Sequence, residues 1–151
     1  MKNSNEIPQL FLRIALGLGF ILPVMDRIGL MGLPGSGKVA WGDWEHFIDY
    51  TNTLIPFAGR SVANIFGLTA TIAEVIIGIC LIAGFKTKLA AIGAALITAT
   101  FAVFMIFASG IGAPFQYPVF VFTGGALLLA TLNNFKWSLD SYMNKSEGIN
   151  L

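Results

Sequence analysis

The sequence predicts an all-α integral membrane protein, a four-helix bundle with a short extracytoplasmic amphipathic helix in its first loop. Three observations predict it. The 151 residues are 56% hydrophobic and 11% charged, with a mean hydropathy of +0.76. Soluble domains carry roughly 25% charged residues, so a globule of this size would lack polar cover. The apolar residues also gather into four long stretches, each near the ~20 residues that cross a bilayer as a helix. Finally, most charges fall at the ends of those stretches. The same numbers exclude other classes. Nine Lys/Arg against eight Asp/Glu give a net charge of +1, without the basic footprint of a nucleic-acid binder. The single cysteine, Cys80, excludes an internal disulfide framework, a CxxC redox pair and a cysteine zinc cluster.

The first span runs over about residues 7–25 and is interrupted by Arg13. A cleavable signal peptide competes for this segment, with Lys2 as its basic start. Arg13 breaks the apolar region and no small-x-small site follows Val24 closely, so the segment reads as a retained helix. The outer loop, about 26–61, opens with a turn-rich stretch containing Gly29, Gly32, Pro34, Gly35 and Gly37. Residues Asp43 to Leu54 then form an amphipathic helix, with Trp44, Phe47, Ile48 and Leu54 on one side and Glu45, His46, Asp49 and Asn52 mostly opposite. It is expected to lie on, or cap, the outer end of the bundle. The second span, about 62–85, holds one charge, Glu74; the third, about 89–111, holds none. The fourth, about 117–134, is shorter and uncharged, with Phe135 and Trp137 extending it to an interface and a cytoplasmic tail at 138–151.

Orientation follows from the flanking cations. Lys2, Arg13, Lys86, Lys88, Lys136 and Lys145 lie on one side, and Arg27, Lys38 and Arg60 on the other, balanced there by Asp26, Asp43, Glu45 and Asp49. Six against three places both termini in the cytoplasm.

Two motif-like features have simpler readings. Gly32-Leu33-Pro34-Gly35-Ser36-Gly37-Lys38-Val39 nearly spells a phosphate-binding P-loop. Val39 lacks the magnesium-binding hydroxyl, Pro34 removes a backbone donor, and no buried strand precedes it, so it is a loop and no nucleotide is expected. Asp43, His46 and Asp49 spread over about 120° of a helix, too wide for a compact metal set. With His46 the only histidine, neither a catalytic triad nor paired haem ligation can be built, and no metal or haem is expected.

Arg13 and Glu74 are the informative charges, because a charge at a helix centre costs ~2.5–3.5 kcal/mol on translocon scales. Counted from Ile7 and from Phe85, they lie about 9 Å and about 16 Å from the same side, a gap that an extended arginine and a carboxylate can close. Each sits on a small-residue face: Gly67, Thr71, Glu74 and Gly78 on one helix, Arg13 and Gly17 on the other. The expected pair is either a structural lock or a polar anchor for a ligand, a quinone or a proton. Gly17, Thr71, Gly78, Gln116 and Tyr117 are the candidate lining. The alanine stripe Ala91, Ala95, Ala99 and Ala102 of the third span reads as helix packing.

Several blocks over about Leu10 to Asp140 together resemble the DoxX family. They are the Arg13-x-x-x-Gly17 helix opening, Asp26-Arg27-Ile28 at its polar close, and Glu74-x-x-x-Gly78 running into Gly84-Phe85-Lys86-Thr87-Lys88-Leu89-Ala90-Ala91. Gln116-Tyr117-Pro118 then opens the last span, and Trp137-Ser138-Leu139-Asp140 closes it. The resemblance implies a four-helix bundle of the bacterial inner membrane. Family members include subunits of quinone-linked oxidase systems, proteins tied to thiol and oxidative-stress complexes, and animal relatives that assist receptor assembly.

Two functional expectations follow. One is a redox-associated, quinone-linked accessory subunit, with a quinone head group near Arg13 and Glu74. The other is a non-catalytic scaffold or assembly factor, in which Arg13–Glu74 only locks the bundle. Whether the chain is an enzyme stays open. The expected partners are the lipid bilayer, another membrane protein or a second copy of the chain, and no nucleic acid.

Overall fold

The computed structural model describes residues 6–147, and among these every regular element is helical. Helix α1 spans Glu6–Arg27 and α2 spans Trp44–Leu54; a 3-10 turn at Pro56–Ala58 leads into α3, Gly59–Ala83. Then come α4 (Thr87–Ser109), the single turn α5 (Ala113–Gln116), α6 (Val119–Thr131) and α7 (Leu139–Glu147). Lys2, one of the six charges counted toward orientation, lies outside the described residues.

Three of these segments are long and apolar enough to cross a membrane: α1, α3 with its leading turn, and α4. Their outer faces suit lipid. On α3, Ile65, Leu68, Ile72, Ile76 and Ile79 are all exposed at spacings of three or four residues, one continuous apolar stripe. The opposite stripe, Gly67, Thr71, Glu74 and Gly78, is buried. A helix that turns its polar residues inward and its isoleucines outward is arranged for an apolar solvent.

The expected fourth span is shorter than the sequence suggested. In place of a helix over 117–134, α6 has 13 residues, about 20 Å at 1.5 Å per residue. Pro118 is the cause: it has no N–H to continue a helix and disfavours helical geometry at the residue before it. Tyr117 is accordingly extended (φ −98, ψ 116), which separates α5 from α6. At the far end the chain leaves the helix at Leu132, also extended.

Helix α1 packs against α3 and α6, and α4 packs against α3 and α6, so each of these four helices has two neighbours among the other three. Small residues set the approach. A Cβ on Gly17 would lie 3.0 Å from the Gly78 carbonyl, and one on Gly78 would lie 3.1 Å from the Gly17 carbonyl. The backbones of α1 and α3 therefore cross at this glycine pair. Ala90, Ala91, Ala94, Ala95 and Ala102 of α4 are buried, and Ala126 and Leu129 of α6 complete a core with Leu16, Phe20 and Leu81. The Thr123 hydroxyl donates to that of Thr98 at 2.8 Å, tying α6 to α4.

Helix α2 starts where the sequence placed it. The Asp43 carboxylate accepts the His46 N–H at 2.9 Å, an N-cap that satisfies one orphan donor. Phe47 and Ile48 are buried, while Glu45, His46 and Asp49 are exposed. Two of its acidic residues meet Arg60: Asp49 Oδ1 accepts from Arg60 Nε at 2.9 Å, and Glu45 pairs with the same guanidinium. The helix packs against α1, α3 and α4. Phe47 and Ile48 abut Gly67, so α2 lies alongside the N-terminal half of α3, continuing where α1 stops.

The tail at 138–151, read from the sequence only as a cytoplasmic extension, contains α7. It is fastened by Asp140, whose carboxylate accepts the Lys86 and Thr87 N–H groups at 2.7 and 2.8 Å at the start of α4.

Candidate functional site

Two buried polar clusters organise the molecule, and neither contains the expected Arg13–Glu74 pair. Antiparallel helices crossing at Gly17 and Gly78 carry Arg27 outward by ten residues, about 15 Å, and Thr71 about 10 Å the same way. Arg27 thereby reaches the level of Thr71 and Glu74. Arg13 lies four residues the other way from Gly17, beside Gly84, whose hypothetical Cβ would sit 2.6 Å from Arg13 Nη1. Counting both depths from the predicted span ends placed Ile7 level with Phe85. In the folded chain it is Arg13 that lies at that level, so the partner of Glu74 changes.

In the first cluster, Arg27 Nη1 lies 2.8 Å from Glu74 Oε2, with side chains 3% and 4% exposed. This is a close ion pair without the angle of a directed hydrogen bond. Nη1 also donates to the Thr71 hydroxyl at 2.8 Å, and Nε donates to the Pro23 carbonyl at 3.1 Å. Thr71 in turn donates to the Gly67 carbonyl at 2.7 Å. The guanidinium carbon stands 4.0 Å from the centre of the Phe47 ring and 5.2 Å from that of Trp41, a cation–π cover supplied by α2 and the preceding loop. A lysine could not do this, because it lacks the planar fork that bonds at its edge while stacking on its face.

Asp26, the neighbour of Arg27, turns to the loop. Its carboxylate accepts the N–H groups of Ala40, Trp41 and Gly42 at 2.9, 3.2 and 2.8 Å. Both residues were expected among the exposed outer charges; instead Asp26 is 6% and Arg27 2% exposed. Together they seat the 28–43 loop and α2 against α3. The P-loop-like stretch Gly32–Val39 lies in that loop, with no helix opening at Lys38.

The second cluster lies at the end bearing the α3–α4 turn. Arg13, 1% exposed, donates from Nη2 to the Trp137 carbonyl at 2.6 Å and from Nη1 to the Lys136 carbonyl at 3.5 Å. Gln9 Nε2 donates to the same Lys136 carbonyl at 3.1 Å. Trp137 holds a left-handed conformation (φ 52), which costs a non-glycine residue about 1 kcal/mol or more and persists where surrounding bonds impose it. Gly84 ends α3 in the same left-handed region (φ 69), and its carbonyl accepts the Asp140 N–H at 2.9 Å. Three blocks that are separate in sequence, around Arg13, Gly84–Thr87 and Trp137–Asp140, thus form one knot.

The remaining candidates are dispersed. Gly17 and Gly78 face each other across the helix crossing, and Thr71 belongs to the Arg27 cluster. Gln116 and Tyr117 line a cavity of about 290 Å³ near the other end, with Tyr50, Met105 and Ser109. Burial holds the Tyr50 hydroxyl above its ordinary pKa, with the neighbouring Tyr117 adding to the effect. Sequence reasoning passed over Arg27 because it stands at a span end, where cations are ordinarily solvated. Its ten-residue distance from Gly17 and that of Thr71, seven from Gly78, gain meaning only once the Gly17–Gly78 crossing is known.

No known protein family, curated protein or solved structure matches the chain.

Proposed function

We propose that this protein is a non-catalytic membrane scaffold or accessory subunit of the DoxX type. It is a four-helix bundle of the bacterial inner membrane, with α1, α3, α4 and α6 as its spans and both termini in the cytoplasm. One observation carries the reading: both buried arginines are engaged by the protein's own groups. Arg27 holds Glu74, Thr71 and the Pro23 carbonyl, and Arg13 holds the 136–137 backbone. Groups spent in this way bind helices and loops to one another. The orientation rests on Lys86, Lys88, Lys136 and Lys145 at the turn end against Lys38 and Arg60 at the other, once Arg27 is withdrawn from the solvent-facing count.

A scaffold must present a surface, and the exposed α3 stripe through Ile72 and Ile76 is one broad apolar face. Photo-crosslinking groups placed at those positions in cells should capture a membrane protein or a second copy of the chain. Adducts with lipid alone would sink the scaffold reading.

A quinone-linked accessory role is the second reading, and the Tyr50–Gln116–Tyr117 cavity favours it. Its volume of about 290 Å³ is at the lower end for small-molecule sites, and tyrosine and glutamine are suitable donors to a carbonyl oxygen. A short-tailed quinone should then raise the melting temperature of wild type and of Glu74→Gln, but not of Tyr50→Phe/Gln116→Ala. No shift in wild type removes this reading.

A further inference from the structure

We propose that the turn end of the protein carries a binding site for the head group of an anionic phospholipid, in the groove where the start of α4, the 132–136 link and α7 meet. The inference rests on the membrane reading above and adds a ligand class to it.

The groove has a volume of about 900 Å³ and brings Lys86, Lys88, Lys136 and Lys145 to one place, with Asn134 and Asn144 between them. Two carboxylates share it, and both are occupied. Glu6 pairs with Lys136 at 2.5 Å, and Asp140 accepts the Lys86 and Thr87 backbone N–H groups. Among the described residues no ion pair uses Lys86, Lys88 or Lys145, whose side chains are exposed. Three ammonium groups outside any ion pair therefore border a cleft that also supplies amide donors, and a phosphate diester accepts from both.

Position selects the phosphate of a lipid. The groove is walled by Leu89, 65% exposed, which begins the outward apolar face of α4 continuing through Ile92 and Leu96. An acyl chain leaving the groove would run onto that face. Beside it, Trp137, Leu139 and Tyr142 are 59%, 47% and 74% exposed, and a cluster of tryptophan, tyrosine and lysine matches a membrane–water boundary. Basic pockets at the cytoplasmic ends of spanning helices are suited to acidic head groups.

The test uses the full chain in neutral detergent, titrated with short-tailed phosphatidylglycerol, phosphatidylcholine or inorganic phosphate and read by native mass spectrometry. Phosphatidylglycerol should bind at least about tenfold more tightly than phosphatidylcholine, and the preference should shrink as salt rises. The variant Lys86→Gln/Lys88→Gln/Lys145→Gln should lose the preference, and Lys86→Arg/Lys88→Arg/Lys145→Arg should keep it. Equal binding of the two lipids overturns the proposal, as does a glutamine variant that still discriminates. Displacement of the lipid by millimolar inorganic phosphate overturns it in favour of a free-phosphate site. Flotation with pure phosphatidylcholine vesicles separates the two levels. Failure to float sinks the membrane reading and this one together, whereas flotation without head-group preference sinks this one alone.

Discussion

Arg27 and Glu74 form a buried ion pair 2.8 Å apart, about 15 Å along α3 from the Gly84 turn. A buried pair of this kind is destabilising to break and tolerable to remove whole. Deleting one partner of a buried pair costs about 3–5 kcal/mol, because the other is left charged and unpaired. Glu74→Leu and Arg27→Met should each sharply lower the melting temperature in detergent, and the double variant should recover much of the loss. A double variant as unstable as the sum of the singles would contradict the pairing.

Gly17 should not accept a branched side chain. A Cβ there already meets Ile82 and the Gly78 carbonyl, so Gly17→Val must push α1 from α3, at about 1–3 kcal/mol for overpacking. Cysteine crosslinking between α1 and α3 near the crossing should fall in that variant. Unchanged crosslinking and stability would mean that the helices do not cross here.

Asp26 should control the 28–43 loop without touching the helices' own hydrogen bonds. Its three N–H acceptances from Ala40, Trp41 and Gly42 are bonds to a charged group, each contributing about 1.5–3 kcal/mol. Asp26→Asn turns one acceptor into a donor aimed at donors. Hydrogen exchange at residues 40–42 should accelerate by at least about tenfold, as expected from losing one such bond. Exchange in α4 should stay as it was.

The C-terminal segment should detach when its fasteners are cut. Asp140→Ala removes the carboxylate that caps α4, and Arg13→Leu removes the donors on the Trp137 and Lys136 carbonyls. Capping losses are typically ~1 kcal/mol. Either variant should expose the Lys136 and Lys145 peptide bonds to trypsin, and the double variant more so. Protection equal to wild type would contradict the knot.

The α2 cap gives a pH dependence of defined sign. Hydrogen bonds from the His46 backbone and ring hold the Asp43 pKa below its ordinary value. A lowered folded-state pKa means that the stabilisation is fully present above the unfolded carboxylate's pKa and is lost as pH falls through the folded one. Tryptophan fluorescence reporting on Trp44 should hold steady at pH 5 and change only in more acid solution. Asp43→Asn should flatten that acid limb.

Several features were legible without coordinates. The start of α2 at Asp43, the buried stripe from Gly67 to Gly78 and the alanine face of α4 all follow from residue spacing on a single helix. Each depends only on the helical period of 3.6, so a linear sequence contains the information. Pro118 was equally visible, yet apolar content extended the fourth span across it, and the missing N–H decided otherwise. The α7 helix escaped notice because its sequence is polar overall and its fastening, Asp140 on the start of α4, joins residues more than fifty apart.

The sequence by itself determined the helical class, the apolar segments and the presence of ionisable residues within them. Only the tertiary structure decided which charges meet. Composition and periodicity describe one helix at a time, whereas partnership depends on the axial shift between two antiparallel helices. Arg13 and Arg27 stand 14 residues apart on α1, about 21 Å, so the shift decides which of them comes within reach of Glu74. The Gly17–Gly78 contact sets that shift. It gives Glu74 to Arg27 and leaves Arg13 to hold the end of the chain.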